Sequence, residues 1–341
     1  MAGVNEVAKA AGVSIATVSR VINQPELVAP ATRDRVSEAM KKLNYRVNSA
    51  ASALRRGHAK TIALVVANMS QPWYVKLVRA LRTEIGSRGY TSVIFDLEHD
   101  PRVLVDYLGG VENQGISGVI LATGDFLDTP EIINAMTRAH QTTPLVVIGQ
   151  HVEDATWPTV RFNDEHWSYE ATRVLLQRSH GHIAFLGRCV TSYLAGERLK
   201  GFRRAVDEQP DAHGIVWDIN DFGFAAGYRE MTQAIERGET PTAVLCVNDE
   251  LALGVTRAAA EHRLRVPSDL AVMGYGNTDF LEYVLPSLSS VDGSAVTAAS
   301  VAFNELWDYF SGNGTTRTTV LERRLVLRES TGHSVTAAGT H

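Results

Sequence analysis

Apolar residues at the start of the chain recur at helical intervals. They run from Val4 to Ala11 and stop at Gly12, which can adopt the left-handed conformation that ends many helices. Ser14 is placed to cap a second helix over residues 15–22. Two short helices joined by a three-residue turn that contains glycine predict a helix-turn-helix.

A third helix is predicted from Pro30, which suits the first helical position, to about Asn44. The next segment, residues 46–57, contains a helical pattern only from Asn48 to Arg56. Nine residues are too few for a stable isolated helix in water, so we expect this segment to fold only when something supports it.

From Thr61 the pattern changes to short apolar runs separated by amphipathic segments. The runs predict buried parallel strands at residues 62–67, 92–95, 118–122, 145–149, 183–187, 243–247 and 270–275. Amphipathic helices are predicted at 74–88 and 294–310, with a closing strand within 322–330. Alternating strands and helices predict doubly wound parallel sheets. More than 270 residues is much for one such sheet, so two lobes are expected.

Charge separates the two parts of the chain. The formal charge is −5 overall, but residues 1–60 hold ten lysines and arginines against four acids, which is +6 and leaves −11 for the rest. A basic head on an acidic body indicates a polyanion partner for the head, although a solvated basic surface would give the same count. No apolar run reaches the roughly 20 residues of a membrane helix, and the start lacks a signal-peptide pattern. With only Cys189 and Cys246, we expect no disulfide and a cytoplasmic location.

In a helix-turn-helix, the N-terminal end of the second helix meets base edges in the major groove. The side chains there that can contact bases are Ile15, Ala16 and Arg20. The neighbouring hydroxyl side chains that could hold phosphates are Ser14, Thr17 and Ser19.

Ligands of open α/β sheets lie beyond the carboxyl ends of the strands. The residues of this chain at those ends are rich in amides, carboxylates and aromatics, and such groups suit a polyhydroxyl ligand. The candidates are Gln71, Trp73, Tyr74, Thr123, Gln150, Arg198, Phe222, Asn248 and Asn277. Several of them could instead be helix N-caps or turn residues, as Asn248 could at the start of a helix.

The sequence gives little support for metal binding, catalysis or a cofactor. His180 and His182 form an H-x-H pair with no cysteine or acid nearby at metal-ligand spacing, so no metal is expected. Catalytic and nucleotide-binding motifs are absent, and no cofactor is expected. A small-molecule-metabolising α/β enzyme is one alternative, but it leaves the helix-turn-helix unexplained. A transport-type sugar-binding protein is another, and it would need an export signal.

Seven segments carry a resemblance to a known family. In the head they are EVAKAAGVSIATVSRVIN, TRDRVSEAMKKLNY and VNSAASAL, and in the body ERLKGF (197–202), NDFGFAAGY (220–228), VNDELALG (247–254) and LAVMGYGNTDF (270–280). The chain resembles the lactose/galactose repressor family of bacterial transcription regulators, from residue 2 to about 332. The resemblance implies an effector domain built like a periplasmic sugar-binding protein. It also implies a hinge helix that folds on the operator, with Asn48, Ala51 and Leu54 in the minor groove.

The resemblance implies a domain order as well. The expected parts are a helix-turn-helix domain (1–45), a hinge helix and linker (46–60), an N-lobe (61–160 plus 292–321), a C-lobe (161–291 plus 322–332) and a tail (333–341). Such a protein would be a repressor that binds double-stranded, pseudo-palindromic operator DNA as a homodimer. A sugar or sugar-acid-like effector would occupy the cleft between the lobes, and no contact with a membrane is expected.

Departures from the family pattern lie in the hinge and in the cleft. In the head, Val47, Ser52 and Ala29 stand where the family usually has proline, arginine and a Ser/Thr cap. In the body, Gly276 replaces an aspartate that bonds ligand hydroxyls in many members, and Asn163-Asp164 replaces the usual Asp-Asn pair. Losing one carboxylate while keeping Arg198, with Arg161 near the crossover, favours an anionic effector over a neutral hexose or a purine.

Overall fold

The chain forms two compact units, Met1–Ala59 and Lys60–His341. The computed structural model describes residues 4–23, 27–43, 60–177 and 181–333 of the 341. The predicted hinge positions Asn48, Ala51 and Leu54 lie outside these residues, as does His180.

Three helices make up the described part of the first unit. They are α1 (Val4–Ala11), α2 (Ile15–Asn23) and α3 (Pro30–Lys42). One apolar core joins them, formed by Val7, Ala8, Ala11, Val18, Val21, Val36 and Ala39. The turn between α1 and α2 has Gly12 at φ 63° and Ser14 Oγ accepting from the Thr17 amide at 3.1 Å. The helix-turn-helix prediction is confirmed, although α3 ends two residues before Asn44.

The second unit contains two six-stranded sheets, one in each lobe. In the first lobe the strands are β1 (Thr61–Val66), β2 (Thr91–Asp96), β3 (Gly118–Ala122), β4 (Leu145–Ile148), β5 (Thr159–Phe162) and β11 (Thr318–Leu321). Their order is β11-β5-β4-β3-β1-β2, and every neighbouring pair is parallel.

Helices cover both faces of the first sheet. They are α4 (Pro72–Ser87), α5 (Pro101–Leu108), α6 (Pro130–Thr142) and α11 (Ala295–Phe310). Ile62 and Leu64 of β1 pack in one core with α4 and α11, while Ala63 and Val65 pack in another with α5 and α6. Burial on both sides explains why the strand sequence is a continuous apolar run rather than an alternating one.

The second lobe has the same plan. Its strands are β6 (His182–Gly187), β7 (His213–Asp218), β8 (Ala243–Cys246), β9 (Ala271–Tyr275), β10 (Ser289–Asp292) and β12 (Arg324–Val326). Its helices are α7 (Asp164–Leu176), α8 (Tyr193–Asp207), α9 (Phe224–Glu236) and α10 (Asp249–Glu261). The order is β12-β10-β9-β8-β6-β7, with only the pair β10–β12 antiparallel.

The chain passes between the lobes at three places. It leaves the first sheet after Phe162, returns to that lobe between Asp292 and Ala295, and leaves again after Leu321. Gly293 lies at the second passage, where a β-carbon would come within 1.9 Å of a nitrogen of Arg323 from the third. The three passages therefore meet in a small space beside the cleft.

Among the described residues, none of the helices is both long and apolar enough to cross a bilayer. Nor do those residues bring together three or more histidine, cysteine or acidic side chains in a group that could hold a metal ion.

Candidate functional site

The first candidate site is the exposed face of α2. Val18 and Val21 are buried against α1 and α3, which turns the opposite side of α2 to solvent. Ile15 is 47% exposed, although a side chain of its size usually seeks a core. Ala16 and Arg20 are exposed as well. The three side chains predicted to read bases are thus available on one short helix.

The predicted phosphate contacts lie at the start of the same helix. Ser14 Oγ also lies 2.9 Å from Thr17 Oγ1, so both hydroxyls take part in the local cap. Ser14 and Ser19 are exposed and Thr17 is half-buried. Each of these hydroxyls could donate a hydrogen bond to a phosphate oxygen.

The second candidate site is a cavity between the two lobes of the effector unit. Its wall includes seven of the nine predicted effector residues: Gln71, Trp73, Tyr74, Thr123, Arg198, Phe222 and Asn248. The wall residues that the pattern of strand ends did not single out include His99, Phe162, Ser192 and Arg323. Both lobes contribute, as expected for a cleft that closes on a ligand.

Two predicted residues lie elsewhere. Gln150 is buried, and its side-chain oxygen accepts from the Leu127 amide at 2.6 Å, so it braces a loop. Asn277 is tied to Arg328, whose guanidinium donates to the asparagine side-chain oxygen at 2.9 Å. Neither side chain forms part of the cavity wall.

Arg198 of α8 is held by three partners. Its Nε donates to Asp164 at 2.7 Å and its Nη1 to the Val247 carbonyl at 2.5 Å. Its guanidinium carbon lies 4.0 Å from the centre of the Tyr275 ring. These contacts orient a charged group that is only 13% exposed.

Asp164 is shared with a second arginine. Arg323 lies 3.0 Å from the same carboxylate and stacks 4.1 Å from the centre of the Phe162 ring. Burial alone would raise the pKa of Asp164, but the charges of Arg323 and Arg198 outweigh it and lower that pKa. The second arginine of the cleft is therefore Arg323 rather than Arg161, which is not in the cavity wall.

On the first lobe, Asp125 connects several groups. Its Oδ2 accepts from Thr123 Oγ1 at 3.0 Å and lies 2.8 Å from His99 Nδ1. Arg188 of the second lobe approaches its Oδ1 at 3.7 Å. That oxygen is buried and makes no hydrogen bond with the described residues, so it is an available acceptor.

Aromatic rings form the remaining surface. Trp73 lies edge-on to Tyr74 at 5.3 Å and donates through Nε1 to the Gly293 carbonyl at 2.9 Å. The Tyr74 hydroxyl accepts from the Gly124 amide at 3.1 Å, and burial raises its pKa. Across the cleft, the centre of the Phe222 ring lies 5.1 Å from that of His99. Rings from both lobes can therefore face a flat ligand.

Asn248 caps α10, since its side-chain oxygen accepts from the Leu251 amide at 2.9 Å, and its amide nitrogen donates to the Phe222 carbonyl at 2.8 Å. Helix capping was the alternative role predicted for Asn248, and the structure shows that Asn248 both caps the helix and lines the cavity.

Gly276 lies in the wall at φ 121°, a conformation that side chains rarely adopt. A β-carbon there would be 3.2 Å from Asp249 Oδ2. Asp249 is fully buried, and its carboxylate accepts from Thr278 and Ser290. Burial raises the pKa of Asp249. The carboxylate of an acid at position 276 would therefore lie beside the carboxylate of Asp249.

Comparison with known proteins agrees with both parts of the structure. Residues 4–48 match the model of bacterial regulatory proteins of the lacI family, and residues 172–331 match a periplasmic binding protein-like domain. The HTH-type transcriptional repressor PurR of Proteus mirabilis (strain HI4320) is 31% identical over 334 residues, 97% of each chain. The chain belongs to the lacI family. The PurR repressor of Erwinia tasmaniensis is 33% identical over 311 residues, 90% of each chain.

Solved structures of lacI-family proteins have the same architecture. A Lac repressor dimer bound to operator and the anti-inducer ONPF has a TM-score of 0.85 at 26% identity, covering 97% of this chain and 99% of that one. A complex of the transcriptional regulator CelR with cellobiose has a TM-score of 0.70 at 26% identity, covering 97% and 100%. As a lacI-family member, the protein is a DNA-binding transcriptional regulator with a ligand-binding domain.

Proposed function

We propose that this protein is a repressor that binds a pseudo-palindromic operator as a homodimer. A small carbohydrate-like effector, a sugar or sugar acid, occupies the interlobe cleft and controls operator affinity. The protein acts in the cytoplasm, where bacterial DNA lies. One observation carries the proposal: the same chain combines an exposed α2 face with a cavity lined by polar and aromatic side chains.

The face of α2 supports sequence-specific binding. Arg20 can make paired hydrogen bonds to guanine, while Ile15 and Ala16 can contact a thymine methyl group. The positive charge of the head adds affinity that falls as salt rises. Asn48, Ala51 and Leu54 remain the candidates for minor-groove contact from the hinge.

The chemistry of the cavity supports a polyhydroxyl ligand. Ring hydroxyls need both acceptors and donors, and the wall offers Asp125 Oδ1 and the Arg198 guanidinium. Trp73 and Phe222 can cover the C–H faces of a sugar ring. The cellobiose complex of the similar regulator CelR supports the same class.

Contacts across the cleft support coupling through the angle between the lobes. Ser192 Oγ donates to the Gly124 carbonyl at 3.0 Å, and Arg188 lies 3.7 Å from Asp125. A ligand that touches both walls favours the closed arrangement by its difference in affinity for the two states. In a dimer that change moves the two first lobes relative to each other and makes or breaks the pair of hinge helices.

The test is selection of operator sequences from random DNA by the full-length protein, followed by titration of the selected site in the presence of sugars and sugar acids. We expect a two-fold symmetric site whose affinity one ligand changes at least fivefold. The sign of that change distinguishes an inducer from a corepressor. Recovery of DNA with no common sequence would refute the proposal.

A further inference from the structure

Two arginines of the cavity wall share a single carboxylate. Asp164 is 2% exposed and lies 2.7 Å from Arg198 and 3.0 Å from Arg323. Arg323 is 3% exposed, so all three groups are largely removed from water. One positive charge of this cluster has no protein counter-charge within the cluster. A buried charge without a partner is costly, which makes an anion a natural complement.

The other charged groups beside the cavity are already balanced. Arg188 lies 3.7 Å from Asp125, one charge against one. Asp249, behind Gly276, is bound by neutral hydroxyl and amide donors, and the charge of Arg328 acts on it. Neither of these pairs neutralises the extra positive charge at Arg198 and Arg323. The positive surplus is therefore localised at the end of the cleft where the three interlobe passages meet.

Both guanidinium groups also have unused hydrogen-bonding capacity. Arg323 Nε is buried and finds no acceptor among the described residues. Arg198 uses Nε and Nη1, while no described residue accepts from its Nη2. The Tyr275 ring fixes one guanidinium and the Phe162 ring the other. Fixed guanidinium planes are the groups that bind carboxylates with paired hydrogen bonds.

We propose that Arg198 and Arg323 form a carboxylate subsite, and that the effector is a sugar acid carrying one negative charge. The sequence alone did not place Arg323 in this cleft. The proposal rests on the proposed function and specifies its ligand class. The hydroxyl end of the same molecule has an acceptor in Asp125 Oδ1, which is buried without a hydrogen bond.

The test is calorimetric titration of the full-length protein with matched pairs that differ in a carboxylate: D-glucuronate and D-glucose, D-galacturonate and D-galactose, D-gluconate and D-glucitol. We expect at least one acid to bind about 10- to 100-fold more tightly than its neutral partner, the ratio that charge-assisted hydrogen bonds give. Acetate, the smallest probe, should raise the unfolding temperature above that measured in chloride at equal ionic strength.

Variants separate the subsite from its surroundings. Arg323→Met should reduce the preference for the acid at least tenfold, and Arg323→Lys should keep part of it. Arg324→Met is the matched control, because the neighbouring Arg324 is 75% exposed and pairs with Asp292 outside the cavity wall. Circular dichroism and the unfolding temperature identify any variant that does not fold. If Arg323→Met does not fold, the preference of Arg323→Lys for the acid over its neutral partner decides the question.

The outcomes are distinct. Tight binding of a neutral sugar alone, or an acid preference unchanged in folded Arg323 variants, would overturn the carboxylate subsite and leave the proposed function standing. Failure of every acid, together with no effect of acetate, would overturn the subsite as well. Absence of specific operator binding by the unliganded and liganded protein would instead overturn the proposed function.

Discussion

Replacing Gly276 by aspartate would restore the acid that many members of the family carry at this position. The structure gives two reasons to expect a loss of stability. The backbone at Gly276 has φ 121°, and a β-carbon would lie 3.2 Å from the carboxylate of the fully buried Asp249. Alanine at the same position introduces the backbone strain and the β-carbon but no second carboxylate, so it separates the conformational cost from the electrostatic one.

The two costs can be estimated separately. Holding a non-glycine residue in such a conformation costs about 1–3 kcal/mol, which is the effect expected for Gly276→Ala. Two carboxylates about 4 Å apart repel each other by about 4 kcal/mol at an effective dielectric constant near 20. Since one of them can take up a proton instead, we expect Gly276→Asp to lose about a further 2–4 kcal/mol at neutral pH.

The pH dependence tests the electrostatic part. Burial already raises the pKa of Asp249, and a second carboxylate would raise it further. An acid whose folded-state pKa lies above its unfolded value destabilises the fold above the unfolded pKa, and the penalty disappears as pH falls toward that value. The difference between the aspartate and alanine variants should therefore shrink from pH 7.5 to pH 4.5.

The assay is urea unfolding of the full-length protein followed by circular dichroism at both pH values, with wild type, Gly276→Ala and Gly276→Asp side by side. The reasoning fails if aspartate is as stable as alanine at pH 7.5. It also fails if the gap between them stays constant at pH 4.5, because the loss would then be steric.

Arg20→Ala should weaken operator binding by about 1–3 kcal/mol and relax the choice at one base, measured by competition between operator variants; equal weakening on all sequences would make Arg20 a phosphate contact. Leu54→Ala, argued from the sequence, should reduce operator affinity and bending in gel-shift assays without changing ligand binding, and a normal operator affinity would remove Leu54 from the mechanism. Asp164→Asn should cost about 3–5 kcal/mol of unfolding free energy, because Arg198 and Arg323 would lose their shared carboxylate. Since those arginines lower the pKa of Asp164 against the effect of burial, this stabilisation is present above the unfolded pKa of about 4 and is lost as pH falls through the folded one. An unfolding difference that stays constant down to pH 2 would contradict this origin.

The sequence predicted the strands that are buried on both faces. All seven apolar runs correspond to strands. Six of them are central parallel strands, which are apolar because both faces are buried, and the seventh, β2, is a mostly exposed edge strand. Four strands were not predicted from the sequence pattern. Two of them, β7 and β11, are edge strands with exposed positions, which break the apolar run.

β10 was missed for a different reason. Ser289 and Ser290, its first two residues, are fully buried, yet both are polar. Ser290 Oγ donates to Asp249 at 2.7 Å, and Ser289 Oγ lies 2.7 Å from Thr331 Oγ1. Buried hydroxyls with partners are compatible with a core strand, but their partners come from distant segments that a local pattern does not include.

The cleft was predictable where the strand-end rule applies. Thr123 and Asn248 lie within two residues of a strand end, Trp73 lies at the start of the helix that follows β1, and all three line the cavity. Arg323 reaches it from the turn between β11 and β12, where nothing in a local pattern distinguishes it from the adjacent Arg324. Only the three-dimensional meeting of the interlobe passages identifies which of the two arginines is buried.

The contact between Gly293 and Arg323 has a consequence for how this cleft can evolve. A β-carbon at position 293 would come within 1.9 Å of Arg323 Nη1, while the other terminal nitrogen of the same guanidinium, Nη2, is bonded to Asp164. Any side chain at position 293 would therefore require the Arg323 guanidinium to move, so the position of that guanidinium depends on glycine at 293. Gly293 and Arg323 together form a two-residue signature that distinguishes relatives with this buried arginine–aspartate cluster from relatives without it.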